Sequence, residues 1–352
     1  MRSGNCKPVF ACDRMIPLPP GIPPAGKAAA ASEALPMGPY NITAYLAAMG
    51  ISTVCASVLF YFSLRKSPDL RQEKALPLTV CVLLLGAVLG ILFAKLFYFL
   101  FYFFYLTEQG AGTFWFSLKT EELSYYGGVA GVCLAVALSA KIFGMKPVKV
   151  LNAFAPACAL LAAAARFAEY FLYPTGTGSY LETPLFFPLA VNIVWSEDYT
   201  SSVLAVYMYE GVMSLVAFVL CLKHRGEPRR MLRTLFYLCL PQILLESLRA
   251  DAISLLFVHM EQLLCYLFVE GVLIWYGWKG GRKHFASWIP ALTGLLVCGL
   301  TIVEEFMLDG KIRIGGSYVS PWITYTLMAA GLALLAVMEH RGNRRLYSLS
   351  SK

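Results

Sequence analysis

From Ile42 onward the chain is a succession of nine apolar runs, each about 17 to 29 residues long, far more apolar surface than a soluble core of this size would bury. The runs cover 42–63, 77–105, 127–144, 150–173, 203–222, 234–257, 262–278, 288–306 and 321–338. At about 1.5 Å of rise per residue, an α-helix needs roughly 20 apolar residues to cross the hydrocarbon of a bilayer. Lipid offers the backbone no hydrogen-bond partner, so a spanning segment has to close its own bonds as helix. The expected fold class is an all-α polytopic membrane protein with about nine transmembrane helices, its only expected partner at this level the lipid bilayer.

Hydrophobic residues make up 58% of the chain and charged residues 14%, which leaves few charges outside the loops. The formal net charge of +8 therefore needs no nucleic acid to explain it, since the basic residues lie mostly in short connections between apolar runs. Ten cysteines are scattered, most of them inside those runs, with neither a CxxC nor a Cys/His cluster of metal spacing. They read as small buried hydrophobes, and no metal or cofactor is expected.

Residues 1–40 form a Pro/Ala-rich tail, expected to be disordered because it has too few large apolar residues to fold alone. Alternate loops carry Arg65, Lys66, Arg71 and Lys74, then Lys141, Lys146 and Lys149, then Lys223, Arg225, Arg229, Arg230 and Arg233, then Lys279, Arg282 and Lys283, and finally Arg341, Arg344 and Arg345. Basic loops stay cytoplasmic, so the amino terminus is expected outside and the carboxyl terminus inside. The tail strains this rule slightly, with Arg2, Lys7, Arg14 and Lys27, and Met37 is an alternative start. The loop 174–202 has no Lys or Arg, and reads as a small external head between the fourth and fifth helices. Residues 339–352 read as a basic cytoplasmic tail.

Charge inside these runs points toward function, because a charged side chain at the bilayer centre costs roughly 2.5 to 3.5 kcal/mol on insertion scales. Arg166 and Glu169 lie three residues apart within the fourth run, on one helix face. Counting from Lys149, Arg166 stands roughly 25 Å from the cytoplasmic side. Counting back from Lys223, Glu210 stands at about 20 Å. Gln242, Glu246 and Arg249 form a stripe at spacings of four and three that climbs the sixth run. Tyr45 opens the first run and Tyr126, Gly127 and Gly128 open the third, so polar groups of five helices are expected in one layer. Two cations with several carboxylates suit an anionic headgroup, since Arg binds phosphate bidentately. Lys95 is expected to snorkel or pair locally, and of the four histidines only His259 is near enough to this layer to serve as a substitute base.

Several segments, in order, resemble the phosphatidylglycerol:prolipoprotein diacylglyceryl transferases of bacterial inner membranes. ITAYL resembles the first-helix motif with its tyrosine at Tyr45, and YYGGVAG the His-Gly-Gly opening of the third helix. NAFAPACALLAAAARFAEYF resembles the Asp-x-x-Ala-Pro segment with the Gly-Arg-x-Gly-Asn signature, which puts the essential arginine on Arg166. Tyr209 and Glu210 match the Leu-Tyr-Glu element, QILLESLRAD stands for Arg-x-x-x-Glu-x-x-Arg, and HMEQLL for the Met-Gly-Gln stretch. Relative to the family pattern, Tyr126 replaces a histidine, Glu169 an asparagine, Ala165 a glycine, Gln242 an arginine and Glu261 a glycine. The likeness runs from about Ile42 to about Leu264, with a transferase-like domain expected over 41–278 and two additional helices over 279–338.

The resemblance implies transfer of the diacylglyceryl group from phosphatidylglycerol to the lipobox cysteine of a prolipoprotein signal peptide, the first step of bacterial lipoprotein maturation, in the bacterial cytoplasmic (inner) membrane. For that chemistry Arg166 is expected to stabilise the leaving phosphate, Glu169 or Glu210 to accept the thiol proton and Tyr126 to orient, these four being the catalytic candidates, while Tyr45, Gly127, Gly128, Tyr209, Gln242, Glu246 and Arg249 are the substrate-binding candidates. The departures at Tyr126 and Gln242 support an alternative, a catalytically degenerate relative that binds phosphatidylglycerol or lipoprotein precursors as a scaffold or regulator. A transporter would predict an internal repeat between the halves, and none is visible.

Overall fold

The computed structural model describes residues 41–350 except 68–69, 110–113, 117–121, 174, 182–184, 197–198, 253, 256–257, 281–284 and 315–316, so the expectations for the tail 1–40 fall outside the described residues. Among the described residues there are nine long helices, one for each apolar run: α1 Ile42–Arg65, α2 Ala75–Gln109, α3 Tyr125–Ile142, α4 Pro147–Ala168, α5 Val206–Lys223, α6 Arg230–Leu248, α7 Met260–Lys279, α8 Ile289–Leu308 and α9 Pro321–Ser350. Eight of them are long and apolar enough to cross a membrane. The exception is α7, whose apolar run is interrupted by Glu261, Gln262 and Glu270. The chain is a multi-pass, all-α membrane protein.

Three expected boundaries move by more than a turn or change type, one of them at the last helix, which continues past 338 to Ser350 through residues expected to form a tail. The fifth run does not begin as helix at 203, because Val203 and Leu204 close a strand and α5 starts only at Val206. The sixth helix stops at Leu248, ahead of the polar Arg249–Asp251 step, and Ser254–Leu255 (β4) pairs with Val258–His259 (β5) as a small hairpin. Hydropathy alone cannot separate a short apolar strand from the end of an apolar helix.

Small residues set how closely the helices approach. Cβ atoms added at Gly127 or Gly131 of α3 would collide with the backbone of α2 at Phe93 and Leu89, so these glycines let the two helices touch. Gly211 of α5 does the same for the Phe167 ring, where an added Cβ would lie 2.5 Å from Cε1. The most enclosed helices are α6 and α4, with 67% and 56% of their apolar windows buried against 6% for α1, so lipid-facing work falls to the periphery and the charged residues sit in the centre.

At one end of the bundle lies a three-stranded antiparallel sheet, order β1-β3-β2, built from Tyr180–Leu181, Ala190–Ser196 and Tyr199–Leu204. Its strands lie in and just after 174–202, the segment termed the head, and β3 runs into α5 across the single residue Ala205. At the other end the basic connections meet. Lys74 donates to the Phe143 carbonyl, Asn152 to the Pro228 carbonyl and Arg233 to Glu339, so the ends of α2, α3, α4, α6 and α9 that carry the Lys and Arg loops share one side.

Candidate functional site

The polar groups expected in one layer converge beneath the head. A 3-10 turn over Glu169–Phe171 ends the α4 segment, and its Phe171 carbonyl accepts from the amide of Asn41, which pins the start of α1 and hence Tyr45 beside it. Asn41 then caps α1 by accepting from the Ala44 amide at 3.0 Å. Tyr45 lies within electrostatic reach of Glu169 and Arg166.

Arg166 is 3% exposed and donates to Glu169 at 2.7 Å, while its Nε stands 3.3 Å from Glu210 on α5. Arg249, at the end of α6, reaches the same two carboxylates, with its Nη1 3.0 Å from Glu210 Oε2 and 3.5 Å from Glu169 Oε2. The two guanidinium groups are thus bridged by a shared carboxylate pair instead of pointing to separate surfaces. Gln242 completes the stripe on α6 by donating through Nε2 to Glu210 at 2.6 Å and to Glu246 at 2.8 Å. Catalytic candidates Arg166, Glu169 and Glu210 and binding candidates Gln242, Glu246 and Arg249 therefore form one network.

A loop from the head closes over it. Gly176 has a φ of +73°, and an added Cβ would collide with Glu169 Oε2 and lie 2.8 Å from Tyr207 Cβ, so the backbone itself covers the carboxylate. Next to it, Ala250 donates to the Thr177 carbonyl, and Gly178 bridges to Arg249. Asp251 accepts from Arg249 at 3.0 and 2.8 Å and from the Gly176 amide at 2.9 Å. Burial alone would raise the Asp251 carboxyl, yet the Arg249 charge and these hydrogen bonds hold it below the usual carboxylate range.

The opening of α3 is organised differently from the expectation. Ser124 caps the helix by accepting from the Gly127 amide, and Glu261 of α7 accepts from the Ser124 hydroxyl at 2.9 Å and from the Tyr125 amide at 2.8 Å. A carboxylate thus sits at the positive end of the α3 dipole. Tyr126 donates its hydroxyl to the Leu238 carbonyl at 3.0 Å, which turns it toward α6 and away from the ion network. It is Tyr125 that faces the site, its ring 3.9 Å from Arg166 Cζ. Gly127 serves contact with α2, as its neighbours require, and Gly128 lies beside Gly90 and Ala94 of the same helix. Tyr209 donates to the Leu189 carbonyl of the head at 3.3 Å, whereas Tyr207, buried two residues earlier, lies within electrostatic reach of Glu169. His259 sits near the layer through its Nδ1, 3.1 Å from the Glu246 carbonyl. Lys95 pairs locally, with Nζ 2.6 Å from the Phe114 carbonyl and 3.6 Å from Glu122.

Tyr125, Tyr207, Asp251 and Glu261 are the participants that the sequence reading missed. For Tyr125 the only signal was its adjacency to Tyr126, and one residue on a helix is a turn of about 100°, enough to exchange which ring faces the charge.

Some of the arginine's capacity is unused. Arg166 Nη2 is buried and has no hydrogen-bond partner, although a guanidinium carries five donors. Two cations, an open donor and several carboxylates in one enclosed layer can bind an anion and accept a proton from a nucleophile beside it.

A family model described as prolipoprotein diacylglyceryl transferase matches residues 32–278. No curated protein gives a significant match.

Proposed function

Because this chain belongs to the prolipoprotein diacylglyceryl transferase family, we propose that it moves the diacylglyceryl group of phosphatidylglycerol onto the thiol of a lipobox cysteine in a prolipoprotein. The unpartnered, buried Nη2 of Arg166 is the observation that carries this reading. An uncompensated donor on a buried cation costs roughly 1–3 kcal/mol, which a phosphate oxygen placed there would recover.

In this reading a cysteine thiolate attacks the glycerol carbon that bears the phosphate ester. The new carbon–sulfur bond forms as the carbon–oxygen bond breaks, and the electron pair leaves on glycerol phosphate. Arg166 takes the developing charge, with Arg249 behind it across the shared carboxylates. The thiol proton passes to Glu169 or Glu210, the carboxylates that touch Arg166. Tyr45 and the Gly176 loop border the headgroup. The head side is then the outer face of a bacterial cytoplasmic membrane, and residues 41–278 are the transferase-like unit to which the last two helices are added.

A second reading, a relative that binds phosphatidylglycerol or precursors without chemistry, is favoured by the Tyr126 hydroxyl being spent on Leu238 and by neutral Gln242 standing between Glu210 and Glu246. The two separate in one assay. Protein in phosphatidylglycerol bilayers with a lipobox peptide should release glycerol phosphate, and Arg166→Ala should abolish release. No release by the wild type, with phosphatidylglycerol still retained, would establish the binding role instead.

A further inference from the structure

Two buried donors beside Glu169 have no hydrogen-bond partner, Arg166 Nη2 and the hydroxyl of Tyr207. The arginine suits a phosphate oxygen, but nothing among the described residues satisfies the tyrosine. Tyr207 is 2% exposed and stands in the first turn of α5, three residues before Glu210 and so on the same helix face. Its amide donates to the Gly176 carbonyl at 2.9 Å, and a Cβ added at Gly176 would meet both Tyr207 Cβ and the Glu169 carboxylate. Tyr207 and Glu169 thus flank one glycine at the edge of the ion network. A hydroxyl buried there without a partner has given up its bonds to water for nothing, unless a ligand supplies the acceptor.

A line of aromatic rings joins Tyr207 to the surface. Its ring centroid lies 6.4 Å from that of Tyr170, and Tyr170 meets Phe187 edge-on at 5.9 Å. Phe187 and its neighbour Phe186 are exposed, in the connection between β1 and β2. Their level is a membrane boundary. Tyr170 lies in the last turn of the apolar span Pro147–Phe171, and Phe171 accepts from Asn41, the residue before the span Ile42–Arg65. Ile42 and Leu46, at that end of α1, are exposed as well. Apolar side chains open to the outside at this level face acyl chains, which puts Tyr207 between lipid and the Arg166 network.

In a diacyl phospholipid the part that lies between phosphate and acyl chains is the glycerol with its esters. The Glu169 carboxylate beside Tyr207 repels a second anionic oxygen, whereas a neutral carbonyl oxygen meets no such repulsion. We infer that the Tyr207 hydroxyl donates to an ester carbonyl of a diacyl phospholipid whose phosphate lies at Arg166 and whose chain passes Phe187. The inference rests on the reading that the Arg166 network holds such a lipid, and it makes Tyr207 a binding residue for the glycerol part.

The test needs no transfer chemistry. The full chain is reconstituted in bilayers with equal amounts of diester and diether phosphatidylglycerol of one chain length, then extracted in detergent without lipobox peptide, and the retained lipids are counted by mass spectrometry. The wild type should retain diester over diether by about fivefold, as expected for one neutral hydrogen bond, and Tyr207→Phe should bring the ratio to about one. Both lipids are read in one sample, so a variant that folds poorly lowers the two together and leaves the ratio intact. Lipid-free Tyr207→Phe should unfold at or above the wild-type temperature, because it loses only an unpaired hydroxyl. Equal retention by the wild type, a preference that survives in Tyr207→Phe, or a lower unfolding temperature for that variant would overturn the inference. Retention of neither lipid by the wild type sinks it together with the reading it rests on. A diester preference without glycerol phosphate release in the transfer assay upholds it and removes only the chemistry.

Discussion

Tyr125 places its ring 3.9 Å from Arg166 Cζ, so the central cation of the site rests on an aromatic face contributed by the first turn of α3. The ring shields the guanidinium from one side and leaves its edge to the carboxylates. A desolvated cation–π contact contributes about 2 kcal/mol. Tyr125→Phe keeps the face and should keep transfer within about twofold of wild type, whereas Tyr125→Leu should lower it by roughly thirtyfold. Glycerol phosphate release by the two variants checks this, and equal loss in both would assign the role to the hydroxyl.

Gly176 is the position where backbone conformation and close approach coincide. Its positive φ costs an L-residue about 1–2 kcal/mol, and the Cβ of alanine would also meet Glu169 and Tyr207. Gly176→Ala should lower thermal stability in detergent by at least that amount and displace the loop over Glu169. Gly144 has a similar φ of +68° with open space around it, so Gly144→Ala should cost only the backbone part.

Asp251 makes the closure of that loop sensitive to acid. Its carboxyl lies below its ordinary range in the folded protein, so its contribution is complete above the unfolded pKa of about 3.9 and is lost as pH falls through the folded value. Asp251→Asn should be destabilised by about 0.2–1 kcal/mol at pH 7, through loss of the partly solvent-exposed ion pair with Arg249 and of the charge on the bond from the Gly176 amide. The difference from wild type should shrink on acidification below about pH 4, and unfolding midpoints at the two pH values measure it.

Glu339 ties α9 to α6 and α7. Removing one member of a buried ion pair costs about 3–5 kcal/mol because the other charge is left uncompensated. Glu339→Leu alone should therefore loosen α9, seen as faster proteolysis near the carboxyl end, while Arg233→Leu with Glu339→Leu should recover much of the loss. Arg233 also holds Glu227, so recovery in the double variant should be incomplete.

Gln242 tests the departure from the family pattern. Its amide donates to Glu210 and Glu246 together, so a cation at this place would have two carboxylates waiting. Gln242→Arg should raise glycerol phosphate release if the site is a working transferase, and a fall would mark the neutral residue as an adaptation of this chain.

The sequence by itself determined the solvent, and with it most of the architecture. Apolar runs of membrane length leave helix as the only way to close backbone hydrogen bonds, so the nine long helices among the described residues were legible, most ends to within a few residues, while the sixth stops nine residues earlier and the ninth runs twelve residues further than the apolar pattern implied. That Arg166, Glu210 and the Gln242–Glu246–Arg249 stripe would meet at one level along the bundle was legible too, because rise per residue converts spacing into relative height. Height does not give azimuth. Which ring of the Tyr125–Tyr126 pair faces the arginine, that Arg249 turns back to share Glu169 and Glu210, and that Glu261 crosses from α7 to cap α3 depend on how each helix rotates against its neighbours. Those rotations are set by close contacts such as Gly127 on Phe93 and Gly211 on Phe167, which join residues far apart in the chain and leave no local signal in it.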